Sequence, residues 1–317
     1  MEHVIETNEL TKVYGSGREA VTAVDHIDLR IEEGTIYGIL GPNGAGKTTL
    51  IMMLTGLVLP SSGSAKVLGH DILKDSLQIR RRVGLLPEGF GFYDHLTAEQ
   101  NLDYIATLND VPKAEQEKIV DEALKAVALE EFRDRKVGAF SRGMKQRLGI
   151  AQTLIKDPEL LIFDEPTAGV DPEGAKVFND LISKLNGQGK TILICTHLLR
   201  EVGPLCTHVA IMNRGEFAVQ GRIGEIVETM IDEEGYRIEV GIKGDAEAFA
   251  KELRSLPEIT GLEVKGGNIS VRATDDVRAN IIRIASKKEV EVLSIRRLEP
   301  SLEDIFMKAL SKGRQEG

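Results

Sequence analysis

Gly41-Pro42-Asn43-Gly44-Ala45-Gly46-Lys47-Thr48-Thr49 sets the reading of everything around it. The apolar run 36–40 before it reads as a buried strand, and Leu50-Ile51-Met52-Met53-Leu54 after it continues as a helix. A glycine-rich turn between a strand and a helix, closing in Lys-Thr, matches the phosphate-binding pattern G-x-x-x-x-G-K-[ST] in the setting that pattern requires. The chemistry follows from the residue types. With no Cβ at Gly41, Gly44 and Gly46, successive N–H groups converge, and with the positive end of the helix they form an anion cradle. Lys47 reaches phosphate oxygens as a mobile point charge. The Thr48 hydroxyl suits Mg²⁺, a hard cation that prefers oxygen.

Working outward, two further apolar runs, 160–163 and 191–195, read as strands buried on both faces. The first ends in Asp164-Glu165-Pro166 and the second in Thr196-His197, with a helix between them that starts at Asp171-Pro172 and exits through 186–189. Strands alternating with helices indicate a parallel α/β sheet. Ligands of such sheets sit outside the carboxyl ends of the strands, which places Asp164, Glu165 and His197 beside the phosphate loop. Nucleotide hydrolysis needs a metal ligand, a base for water and a donor for the developing γ-phosphate charge. Asp164, Glu165 and His197 suit these roles in turn. A carboxylate at a dry strand end is expected to have its pKa raised toward the range useful for proton abstraction.

The remaining texture is organised around that sheet. Residues 3–10, 24–31 and 35–40 read as short strands joined by glycine-containing turns, with 61–64 as a further turn and 83–86 as a strand. Tyr14 ends the first run; it is either an ordinary strand aromatic or a flat face on which an adenine stacks. Thr97 with Gln100 three residues later predicts a capping box, followed by an apolar face of Leu102, Ile105 and Leu108. Pro112 starts the next helix, striped by Ile119, Val120, Ala123, Leu124 and Val127. Ser141 opens another, ended by Asp157-Pro158. From about Glu225 the order becomes βαββαβ: a strand through Tyr236, Ile238, Val240 and Ile242, a helix over 246–253, a hairpin around Gly266-Gly267, a helix over 276–286 and a strand over 290–295. That order fits a small α+β ferredoxin-like domain, followed by a last helix over 301–310.

Composition narrows the function classes. A length of 317 residues suggests two domains, and 42% apolar residues suffice for real cores. A formal charge of −10 argues against coating nucleic acid, which needs a basic face, but not against one nucleotide in a local cradle. The acidic start lacks a signal-peptide core, and the longest apolar stretch, 50–59, is too short to cross a bilayer, so any membrane role is expected to be peripheral. Cys195, in an apolar run, and Cys206, in an expected helix, have no metal-ligand neighbours and read as reduced thiols of a cytosolic protein.

Together these motifs resemble the ATP-binding cassette (ABC) ATPases over residues 3 to about 221. The phosphate loop resembles Walker A, and 160–165 resembles Walker B with its catalytic glutamate. Residues 140–147, Phe-Ser-Arg-Gly-Met-Lys-Gln-Arg, resemble the family's signature motif. Gly169-Val170-Asp171-Pro172 resembles the D-loop, and His197 the switch histidine. The resemblance implies an α/β P-loop NTPase cassette over 1–224, a mostly parallel sheet with an antiparallel β subdomain and a helical insert. It implies ATP and Mg²⁺ at Tyr14, the loop residues Gly41, Asn43, Gly44, Ala45, Gly46, Lys47, Thr48 and Thr49, and Glu88. It also implies a head-to-tail pair of cassettes, in which Ser141, Gly143 and Asp171 face the partner's ATP. Metal ligation falls to Thr48, Asp164 and Glu88, and catalysis to Glu165, His197 and Lys47.

Three motifs depart from the family pattern. Phe140 and Arg142 stand where the signature usually has Leu and Gly, and Val170 where the D-loop usually has Leu. Glu88, in Leu86-Pro87-Glu88, stands where Gln is usual. A carboxylate there still meets Mg²⁺ but repels the γ-phosphate. Residues 225–317 resemble the accessory domain of cassettes that serve a separate membrane permease in drug and antibiotic export; 299–306 is similar to its closing motif. The expectation is an ATP-hydrolysing subunit on the cytoplasmic face of the cell membrane, with a permease as a separate chain and no nucleic acid as partner. The rivals are a soluble ABC-type ATPase acting on ribosomes or nucleic acid, and a non-hydrolysing regulatory module.

Overall fold

A computed structural model of the chain describes residues 3–199 and 203–312. Two compact units divide the chain: residues up to Arg222, joined by the last residues from Ala309, and Ile223–Lys308.

The first unit is built on two sheets. Six strands form the larger, in the order β11 (Glu216–Arg222), β10 (His208–Asn213), β4 (Ile36–Leu40), β9 (Thr191–Thr196), β8 (Leu160–Asp164), β7 (Val83–Leu86). All neighbours run parallel except β10 and β11. Every residue of β4, β8 and β9 is buried, as their unbroken apolar runs require in a sheet covered on both faces. The register sets Leu40 beside Thr196 and Asp164 beside Cys195, so three chains leave adjacent strands at one level. The smaller, antiparallel sheet has the order β2 (Val21–Ile27), β1 (His3–Tyr14), β5 (Ser62–Val67), β6 (His70–Asp71), with β3 (Arg30–Glu32) also on β1. A single core joins the two: Ile5, Ile31 and Val67 of the small sheet, Leu50, Met53 and Leu54 of α1 (Lys47–Leu54), and Ile39, Ile162 and Leu193 of the large one.

The insert packs α3 (Ala98–Leu108) and α4 (Lys113–Ala126) together and onto α5 (Arg142–Leu154). The predicted capping box is present, with both reciprocal bonds between Thr97 and Gln100. The face of α3 differs from the predicted one. Ala98, Leu102 and Ala106 are buried at i, i+4 spacing, and Leu108 is 61% exposed. Small residues let the helices approach there, which the pattern of large apolar residues alone does not show.

Three other expectations are corrected. Residues 24–31 are two strands, because the buried Thr7 hydroxyl donates to Ile27 O (2.7 Å) and accepts from Leu29 N (2.8 Å), stitching β1 across the break. Residues 62–64 belong to β5 rather than to a turn; the backbone bends at Gly63, at a register shift in its pairing with β1. Cys206 follows the 3₁₀ turn Gly203–Leu205 and lies in no α-helix, though it and Cys195 are buried and neither is in a disulfide. The helices α2 (Ser76–Arg82) and α7 (Ile223–Glu234) were not predicted.

The second unit has the strand order β13 (Ile259–Lys265), β14 (Asn268–Ala273), β12 (Tyr236–Lys243), β15 (Glu291–Leu298), all antiparallel. Numbered within the unit this is 2-3-1-4, the ferredoxin-like arrangement. Helices α8 (Ala246–Leu253) and α9 (Arg278–Lys287) supply Phe249, Leu253 and Ile281 to a core with Ile238, Val240, Ile269 and Val271. The final helix, α10, spans Leu302–Lys312.

Candidate active site

The loop between β4 and α1 is shaped by two approaches that leave no room for a side chain. A Cβ on Gly41 would sit 2.3 Å from Met212 O, and one on Gly46 2.1 Å from Ala23 O. Gly46 also has φ +110°, which L residues rarely adopt, and it caps α1 so that the helix starts at Lys47. Asn43 and Gly44 are exposed at the tip, while Ala45 is buried beneath.

Lys47 is buried, 5% exposed, and its ammonium has three partners: Gly41 O at 2.8 Å, Pro42 O at 3.2 Å and Glu165 Oε1 at 3.2 Å. That matches the three donors of an ammonium group. One residue on, the Thr48 hydroxyl donates to Asp164 Oδ2 at 2.7 Å. The other carboxylate oxygen, Asp164 Oδ1, is buried and has no hydrogen-bond partner among the described residues. Burial pushes the Asp164 pKa up, against the Thr48 hydrogen bond, and the charges of Glu165 and Glu88 add to the rise. An unpartnered, buried carboxylate oxygen beside a threonine hydroxyl fits a hard divalent cation. No cluster of three or more His, Cys, Asp or Glu side chains among the described residues makes a complete cage. Such a cation would take its remaining ligands from phosphate oxygens and water, as Mg²⁺ commonly does.

Glu165 leaves β8 with φ +49°, a left-handed conformation for a non-glycine residue. Its N–H donates to Cys195 O at 2.8 Å. Its Oε2 accepts from Thr196 Oγ1 (2.9 Å), His197 N (3.3 Å) and His197 Nδ1 (2.9 Å), while Oε1 meets Lys47. The expected upward pKa shift is corrected here. Burial does push the group up, but the hydrogen bonds from His197 and Thr196 and the Lys47 charge outweigh it, and the pKa lies below the ordinary value. Because Oε2 accepts, the His197 Nδ1 carries a proton, and only Nε2 is left to face a ligand. Thr196 was not singled out from the sequence, although a hydroxyl next to the histidine at a strand end was the available signal.

The other predicted residues lie apart from this cluster. Glu88 is exposed on the loop after β7 and reaches Asp164 as a repulsive charge. Tyr14 ends β1, 42% exposed, with Lys12 Nζ 5.0 Å from its ring centroid. Thr49 lies half-buried in the first turn of α1. Ser141 caps α5, accepting from Met144 N at 3.2 Å, and Asp171 caps α6 (Pro172–Gly187), accepting from Gly174 N at 2.7 Å. Ser141, Gly143 and Asp171 line a cavity of about 430 Å³ to which no phosphate-loop residue contributes. Phe140 is buried. Arg142 lines the same cavity, and its guanidinium donates to Ala168 O.

Comparison with known proteins agrees with this geometry. Residues 24–168 match the family described as ABC transporter, and 225–310 match the C-terminal domain of DrrA1-3-like ATP-binding proteins. The chain is 37% identical to the bacitracin transport ATP-binding protein BcrA of Bacillus licheniformis, over 99% of both chains. It is 32% identical to the linearmycin resistance ATP-binding protein LnrL of Bacillus subtilis, over 96% of this chain and 97% of that one. Among solved structures, a dimeric ATP-binding cassette in a post-hydrolysis state with ADP and Pi superposes with a TM-score of 0.63, at 28% identity over 69% of this chain and 98% of that one. No helix among the described residues is long and apolar enough to cross a membrane. The chain belongs to the ABC transporter family, as an ATP-binding and ATP-hydrolysing subunit that powers transport.

Proposed function

We propose that ATP is hydrolysed by two copies of this chain arranged head to tail, with Glu165 as the base. The observation that supports this is the division of the site. Lys47, Thr48, Asp164, Glu165 and His197 converge at the ends of adjacent strands, whereas Ser141, Gly143 and Asp171 line a separate cavity. A second copy then supplies the latter set to the far side of the phosphates. The adenine stacks on Tyr14, and the phosphates lie in the cradle of residues 41–49. Thr48 and Asp164 would hold Mg²⁺, with Glu88 near it, and the cation would supply positive charge against the phosphates.

Lys47 has all three donors engaged, so the phosphates displace one of its partners, and in this reading that partner is Glu165. The departure of Lys47 removes one of the influences that depress the Glu165 pKa, and the base strengthens when ATP is present. Glu165 then accepts a proton from the attacking water. The water oxygen bonds to the γ-phosphorus as the bond to the bridging oxygen of ADP breaks. His197, held through Nδ1, directs Nε2 toward the γ-phosphoryl group as it passes from ADP to water.

In this reading residues 1–224 are the motor and 225–317 the accessory domain. The subunit sits peripherally on the cytoplasmic face of the membrane, bound to a permease that is a separate chain. Its transport direction is export, with an antibiotic-like substrate; the names of BcrA and LnrL speak of bacitracin transport and linearmycin resistance for those proteins. The permease contacts the insert where Phe92, Tyr93, Tyr104 and Ile105 line a cavity of about 380 Å³, with Tyr93 and Tyr104 both more than 40% exposed. The test is affinity capture from native membranes with tagged Glu165→Gln protein, ATP and Mg²⁺. Recovery of one polytopic membrane protein supports the reading. Recovery of ribosomes or nucleic acid overturns it in favour of a soluble ABC-type ATPase.

A further inference from the structure

Arg142 stands at the first position of α5, where a glycine is usual in the signature motif. Its guanidinium crosses to the segment that follows Glu165 and donates to Ala168 O. It also lies flat against Gly169: a Cβ there would fall 2.3 Å from Nη1. That segment is a pair of short turns hung from Glu165. Ala168 N donates to Glu165 O at 3.2 Å, and Val170 N to Thr167 O at 3.0 Å. It is bracketed by two left-handed residues, Glu165 at φ +49° and Gly169 at φ +67°. A non-glycine residue keeps such a conformation only where its surroundings fix it.

The segment is also incompletely bonded. Thr167 is fully buried, and its hydroxyl has no partner among the described residues. Nor has the buried Gln146 Nε2, one turn along α5 from Arg142. Unpaired buried polar groups are costly, so these turns do not sit in their arrangement through their own hydrogen bonds alone. Arg142 supplies a charged hydrogen bond from outside, on the carbonyl of the residue whose N–H is bonded to Glu165.

We propose that Arg142 is a positioning residue for Glu165, acting from the signature helix through residues 165–170 of its own chain. The proposal rests on Glu165 being the base. It ties the state of the signature helix to the backbone of the catalytic carboxylate, a link that a glycine at position 142 does not provide.

The test combines amide hydrogen exchange of the nucleotide-free protein with steady-state kinetics. Loss of a charged hydrogen bond in Arg142→Ala is expected to speed exchange at the Ala168 and Val170 amides roughly tenfold. The kcat for ATP falls by a similar factor, while the affinity of the single chain for MgADP stays within about twofold, because Arg142 makes no contact with the phosphate loop of its own chain. Arg142→Lys keeps one hydrogen bond and recovers part of both effects. Gly169→Ala, which expels the guanidinium, mimics Arg142→Ala, and the two effects together are less than additive. Parental exchange at 168–170 in Arg142→Ala overturns the contact. Parental kcat, or a raised KM with kcat unchanged, overturns the positioning role. Exchange is read without turnover, so failure of Glu165 as base is distinguished from failure of this link.

Discussion

Lys47 and Glu165 form an ion pair at 3.2 Å, with both side chains almost wholly buried, 6% and 5% exposed. The pair joins the phosphate loop to the proposed base, so neither residue can be changed without disturbing the other. Lys47→Ala removes a phosphate-binding charge and also leaves Glu165 buried with one partner fewer. A destabilisation of about 3 kcal/mol is expected, the low end for orphaning a buried charge, since Thr196 and His197 remain as donors. Thermal unfolding should show Lys47→Ala/Glu165→Gln recovering part of that loss, and calorimetry should show ATP affinity reduced in both. Additive losses in the double variant would contradict the pairing.

Asp164 and Glu165 are adjacent yet shifted in opposite directions, and the signs separate them. Asp164 has a folded pKa above the ordinary carboxylate value of 3.8, so its ionised form costs stability once the pH has risen through that raised value. Glu165 has a folded pKa below 4.5; its contribution is complete above 4.5 and is lost as the pH falls through the lowered value. Asp164→Asn keeps an oxygen for Thr48 and removes the buried charge. Its melting temperature relative to the parent should therefore rise from acid to neutral pH. A constant difference across that range would remove the assigned shift.

Tyr14 offers its ring at the edge of the small sheet, 42% exposed, with a lysine 5.0 Å from the centroid. Tyr14→Ala should weaken ATP binding by about 1–2 kcal/mol and leave Tyr14→Phe near the parent, because stacking needs the ring and not the hydroxyl. Equal losses in both variants, measured with a fluorescent adenine nucleotide, would argue against stacking.

Tyr93 and Tyr104 meet edge to face, with ring centroids 5.4 Å apart, on the insert. Replacing both by Ala should leave the ATPase activity of the isolated protein within about twofold, since neither belongs to the hydrolytic cluster, and should abolish capture of the membrane partner. Retained capture would move the permease contact elsewhere.

The sheet that carries the site was legible because the strands at 36–40, 160–164 and 191–196 are buried on both faces and read as unbroken apolar runs. Their order was not written in any one segment, yet the rule that ligands sit at carboxyl ends placed Glu165 and His197 correctly beside Lys47. What the sequence did not show were matters of hydrogen bonding across chain distance. Thr7 splits a predicted strand by bonding residues twenty or more positions away. The Glu165 pKa depends on three donors from two other segments, and burial alone gave the opposite sign. Arg142 stood out only as a departure from the signature, and its grip on a carbonyl 26 positions on had no signal in the sequence.

The most direct test of the account is the fate of nucleotide on Glu165→Gln. The variant is incubated with ATP and Mg²⁺, passed over a sizing column, and its bound nucleotide identified. The account predicts ATP, retained unhydrolysed in a species of two chains, with turnover reduced by at least about a thousandfold as expected for loss of a base. ADP formed at the parental rate would contradict it, and would take the role of base away from Glu165.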